Sequence, residues 1–226
     1  MEGKIAIKTR AYLITFFILS CLISSSAWAG YITVDWAKFN ISTYDIFGTG
    51  APSYTLVDPT TGVYASAGMV DDSDDANDWT TPISATAMEM GTIADAQANS
   101  NIMKTSVTCG NTDGYSDAYR DAEIHVTGSG LLLFSLPYHV EIYDDTHIDL
   151  SMYGELNNTY FVSYKYFYGP VDESDSISLA LLVNDGDQIL FSTFLSADYH
   201  PVPISPTALL LVGGLAALGM INRNRS

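Results

Sequence analysis

His139, Glu141, His147 and Asp149 have side chains suited to metal binding or acid–base work. Two imidazoles and two carboxylates on adjacent strands are chemically competent for either task. Alternation of apolar and polar residues turns all four outward. Tyr138, Val140 and Ile142 share one face of their run, and Ile148, Leu150 and Met152 share one face of the next. A hairpin keeps both apolar sets on one side only if paired residue numbers have an even sum. That favours a three-residue loop, Asp144 to Thr146, with Tyr143 opposite His147. The same pattern also fits the ordinary polar face of half-buried strands.

Two other stretches carry chemistry. The run 71-DDSDDAND-78 offers five aspartates, and hard cations such as calcium want several carboxylate oxygens at one point. An EF-hand loop needs glycine sixth and an acidic residue twelfth. Ala76 and Pro82 stand there, so the run reads first as a solvated acidic loop, with calcium as the alternative. Tyr160, Tyr164, Tyr166 and Tyr168 fall on one face of 159-TYFVSYKYFY-168. Tyrosine pairs an apolar face with a polar tip, which suits sugar rings, although strands favour tyrosine in any case. The chain lacks HExxH, Gly-x-Ser-x-Gly, P-loop and CxxC motifs. A glycosidase needs only two carboxylates at a set separation, and nothing selects such a pair here.

The elements that position these residues read as strands. Period-two alternation recurs between turn-rich spacers, as in 31-YITVDWAKFNIS-42 and 118-AYRDAEIHV-126. The Ala-rich stretch 83-ISATAMEMGTIADAQANS-100 has helical propensity, but its alanines repeat every second residue and favour strand. Small inward residues there let facing layers approach closely. Asp185-Gly186 predicts a hairpin apex between 177-ISLALLV-183 and 188-QILFSTFLS-196, apolar on both faces and so central in its sheet. Many short strands without helical crossovers predict an all-β, antiparallel β-sandwich over 30–200, for which a jelly-roll is one available topology.

Composition sets further bounds. Residues 30–205 hold four basic residues (Lys38, Lys104, Arg120 and Lys165) against 25 acidic ones, a balance of −21. This surface repels nucleic acid and anionic membranes and favours divalent cations or cationic and neutral partners. An apolar content of 47% and 15 tyrosines argue for a folded domain over a disordered acidic chain.

The N-terminal stretch has Lys4, Lys8 and Arg10, then an apolar run, then Ala27 and Ala29 before Gly30. That order predicts a signal peptide, residues 1–29, cut by signal peptidase after Ala29. A lipoprotein site at Cys21 fits poorly, because Cys21 lies inside the apolar run. Cleavage removes Cys21 and leaves Cys109 without an intrachain partner.

The stretch 201-PVPISPTALLLVGGLAALGMINRNRS-226 differs from all that precedes it. Pro201, Pro203 and Pro206 separate it from the domain. Thr207 to Ile221 is apolar, and as a helix it extends about 22 Å, short of a bilayer's hydrocarbon core of about 30 Å. Arg223 and Arg225 follow at once, as at a cytoplasmic stop. Gly213, Gly214, Ala217 and Gly219 suit close packing against another membrane helix. The order of Val-Pro motif, short apolar helix and terminal arginines resembles the PEP-CTERM sorting signal of exported proteins in Gram-negative bacteria. It departs from the usual Val-Pro-Glu-Pro in having Val202-Pro203-Ile204-Ser205-Pro206, and its basic end is only Arg-Asn-Arg. The resemblance implies recognition of Val202, Pro203 and Pro206 by an exosortase, a membrane protease. Thr207 to Ile221 would be a transient inner-membrane anchor, oriented by Arg223 and Arg225. The cargo would reach the cell surface or an exopolysaccharide matrix. The overall expectation is a non-enzymatic exported protein. A carbohydrate-binding module and an envelope polysaccharide hydrolase are the alternatives.

Overall fold

The computed structural model describes residues 28–108 and 110–201. Thirteen strands follow in chain order: β1 (Trp28–Asp35), β2 (Asn40–Tyr44), β3 (Ser53–Ala67), β4 (Val70–Ala76), β5 (Ile83–Glu89), β6 (Thr92–Ala98) and β7 (Ile102–Thr108). Then come β8 (Gly114–Thr127), β9 (Gly130–Ile142), β10 (His147–Leu156), β11 (Thr159–Tyr168), β12 (Val171–Val183) and β13 (Gln188–Tyr199). The only helical element among the described residues is a 3-10 turn, Trp36–Lys38. None of their helices is long and apolar enough to cross a membrane.

The strands form two antiparallel sheets that share one core. The seven-stranded sheet runs β12-β9-β1-β7-β6-β5, with β2 also paired to β9; the six-stranded sheet runs β11-β10-β13-β8-β3-β4. The all-β sandwich expected from the alternation is therefore present. Alternation is strict in the long strands: in β8, β9 and β10 every second residue is buried. The pleat makes one face of each sheet apolar, and the two apolar faces pack together.

The stretch 83–100 is a pair of strands, β5 and β6, turning at Met90-Gly91, both with positive φ. Ala85, Ala87, Ala94, Ala96 and Ala98 point inward and are buried. Ala65, Ala67, Ala118 and Ala122 line the facing sheet, so small residues meet small residues where the layers approach. At another part of the core, Phe134 of one sheet stacks on Phe191 of the other at 4.8 Å. Phe39 sits 5.5 Å from Phe191 and stacks on Trp36 at 4.6 Å, and Trp79 meets both Trp36 and Phe39 edge-on. The 3-10 turn makes this possible. It interrupts the path from β1 to β2, both of which line β9, and drops Trp36 into the core.

Three local expectations are corrected. First, β9 and β10 do not pair. β9 belongs to the seven-stranded sheet and β10 to the six-stranded one, so residues 143–146 cross between layers and Tyr143 does not oppose His147. Second, the Asp185-Gly186 turn is not a hairpin apex. β12 pairs with β9 at a sheet edge, while β13 lies central in the other sheet between β10 and β8. The turn docks on β8 instead: Gly186 N–H donates to the Val126 carbonyl at 3.1 Å, and Val126 N–H to that of Asp187 at 2.9 Å. Third, residues 71–76 of the aspartate run lie in an edge strand, β4, and not in a loop; Asn77 and Asp78 follow it in a bend. Alternation specifies which face a residue takes but not which strand lies beside it, and β9 and β10 bury the same parity although they lie in different sheets.

Candidate functional site

The four residues singled out for acid–base or metal chemistry divide into two pairs on opposite surfaces. His139 and Glu141 face outward from β9, and His147 and Asp149 face outward from β10. The core lies between them, so they form no common site. Among the described residues no group of three His, Cys, Asp or Glu side chains could hold a metal ion. In β4 successive aspartates point to opposite faces, so their carboxylates do not converge. Asp72 instead accepts the Thr86 backbone N–H at 2.8 Å, tying the edge of one sheet to the edge of the other.

His139 and Glu141 belong to a small polar network. Tyr31 O–H donates to Glu141 at 2.7 Å, and its oxygen lies 3.1 Å from His139 Nε2. Ser174 Oγ sits 2.9 Å from His139 Nδ1, and Tyr143 O–H also donates to Glu141. The Glu141 carboxylate holds the Tyr31 hydroxyl proton, pushing its pKa up to about 12, and is itself lowered by its two tyrosine donors. These groups satisfy one another.

The other surface is richer. On β11, Tyr160, Tyr164, Tyr166 and Tyr168 share an exposed face with Val162, each at least half exposed. The tyrosine row expected from the sequence therefore faces outward. The chain turns into it through Asn157 and Asn158, both with positive φ, which close a two-residue hairpin between β10 and β11. Carboxylates and His147 on β10 and its flanks tether the ring tips. Tyr164 O–H donates to Asp149, which pushes the tyrosine pKa up to about 12. The Tyr166 hydroxyl lies 2.9 Å from His147 Nδ1, and Tyr168 meets the His147 ring edge-on at 4.6 Å.

Register carries this face across the whole sheet. Tyr166 on β11 neighbours Asp149 on β10, then Ser196 on β13, Asp117 on β8 and Tyr64 on β3. The adjacent row brings Tyr164, Ser151, Phe194 and Tyr119 side by side. Gly62 on β3 completes that row because the Tyr119 ring covers it: a Cβ at Gly62 would lie 2.3 Å from the ring. Burial between these rings raises the Asp117 pKa against the pull of Tyr115. At one end of the face lies a hollow of about 370 Å³, walled by Tyr153 and Leu190 and rimmed by Asp58, Asp121 and Glu123.

Sequence reading missed most of this surface. β3 was not anticipated; it passes Pro59 through a bulge between Val57 and Thr60, which disguises a 15-residue strand. Arg120 was also missed. It is fully buried, donates to the Asn99 carbonyl at 2.6 Å and stacks over Trp36 at 4.4 Å, while its Nε and Nη1 have no hydrogen-bond partner. Burial pushes its pKa down to about 10. Its parity with Ala118 and Ala122 was the available signal.

Ala27, Cys21, Cys109, Val202, Pro203, Pro206, the run Thr207 to Ile221, Arg223 and Arg225 lie outside the described residues. Ala29 lies within β1, next to a register irregularity between Trp28 and Gly30.

No protein-family model matches the chain, and neither does any curated protein or solved structure.

Proposed function

We propose that the protein is an exported, non-enzymatic component of the cell surface or extracellular matrix, sorted by an exosortase-type protease and associated with exopolysaccharide. The observation that carries this reading is the order of Val202-Pro203, Pro206, a short apolar run and Arg223 with Arg225. It follows a domain whose last strand ends at Tyr199. The basic and apolar start with Ala27 and Ala29 supports export by the same logic. Signal peptidase and the sorting protease are then processing partners, and the membrane is a temporary one. In a host with such a system, Val202→Ala with Pro203→Ala should move most of the protein from the released fraction to the membrane fraction. An unchanged distribution would remove these residues from the sorting motif.

The exposed tyrosine row favours a second reading of the domain itself, as a carbohydrate-binding module. Exposed rings with polar tips, held in a row on one strand and oriented by Asp149 and His147, are the usual elements of a sugar platform.

A further inference from the structure

We propose that the outer face of the six-stranded sheet docks a cationic amino-sugar polymer, a glycan whose N-acetyl groups have been partly removed. This rests on the carbohydrate-binding reading and adds the charge and form of the ligand. The form follows from length. Tyr160 to Tyr168 present a side chain at every second residue, a row of about 27 Å. One sugar ring covers only a small part of such a row, whereas an extended chain runs along it. The charge follows from what shares the face. Asp149 and Glu155 on β10, and Asp117, Asp121 and Glu123 on β8, interleave with the rings. The described lysines and Arg120 are all elsewhere, and the two histidines on the face are already engaged, His147 with Tyr166 and His125 with Glu123 at 2.7 Å. Lys165 turns to Asp175 and the Tyr138 ring, Lys38 pairs with Asp35, Lys104 lies over Tyr31, and Arg120 is in the core. An anionic polysaccharide would meet net repulsion from five carboxylates against two histidines, and a neutral one would gain nothing from that charge. A protonated amino sugar uses both features. Its ring stacks on tyrosine while its ammonium meets a carboxylate or the ring face. The hollow of about 370 Å³ between Tyr153 and Leu190 combines an apolar wall with three carboxylates, Asp58, Asp121 and Glu123, and has room for a sugar ring.

The test uses the purified full chain on beads of de-N-acetylated chitin, fully acetylated chitin, dextran and polylysine, in mildly acidic buffer across a salt series. Retention on the de-N-acetylated polymer should exceed that on the acetylated one at least tenfold. Tyr164→Ala with Tyr166→Ala should weaken it about tenfold. Asp121→Asn with Glu123→Gln should weaken it too, which keeps the test decisive if the tyrosine variant fails to fold. Tyr44→Ala, on the opposite sheet, should change nothing. Equal retention on acetylated chitin or dextran overturns the amino-sugar assignment and leaves the carbohydrate reading standing. Equal retention on polylysine, insensitive to the tyrosine changes, overturns it in favour of plain charge attraction. No retention on any glycan removes both readings.

Discussion

Asp78 takes four hydrogen bonds from the backbone and hydroxyls of Thr80 and Thr81, at 2.5 to 2.9 Å. Asp45 takes four more from the backbone N–H groups of Phe47, Gly48, Thr49 and Gly50. Part of the acidic excess is thus structural, since each carboxylate replaces strand partners that a turn cannot offer. These donors hold the Asp78 carboxyl well below its ordinary value of 3.8. A lowered folded-state pKa gives stability that is complete above the unfolded value and is lost as pH falls below it. Asp78→Asn should therefore melt lower than the parent at neutral pH. The difference should shrink as pH drops below about 4, where the parent's carboxyl protonates on unfolding. Thermal melts across pH check this; a constant gap down to pH 2 would contradict it. Arg120 shows what a residue-by-residue reading overlooks. Its charge argues for the surface, while its parity placed it inside, where Trp36 and the Asn99 carbonyl receive it.

At the scale of elements, the alanine strands make the sharpest claim. Ala96 has no exposed surface and lies where β6 packs on β3 and β8. Ala96→Leu adds three carbons to a closed layer and should destabilise the fold by about 1–3 kcal/mol. Ala180→Leu, on the outward face of edge strand β12, should cost little. Denaturant unfolding of both variants gives the comparison; equal stabilities would mean the layers are not in close contact. The inward faces of β8, β9, β10 and β6 were legible in the sequence because burial imposes a period of two. Strand partners were not. A four-residue link such as 143–146 can close a hairpin or span the roughly 10 Å between layers, and local chemistry does not separate the two outcomes. That is why His139 and His147 were grouped by sequence and parted by the fold. The tyrosine row survived because it lies within one strand, β11, and needs no pairing assumption.

The whole molecule combines a sandwich whose sheets close over one core with a surface of one dominant charge sign, −17 for the full chain. Net charge of that size keeps copies apart and directs the choice of partner toward cationic or neutral polymers. The domain and its proposed route divide the labour. In that proposal the sheet offers a binding face, and the segments at either end specify delivery. The proposed route removes both end segments, and mass spectrometry of the protein from its native host reads this directly, with membrane and medium compared. The released protein should have its N-terminus at Gly30 and its C-terminus within 202–206. An intact Ser226 on most mature molecules would contradict that route and leave a permanently anchored protein.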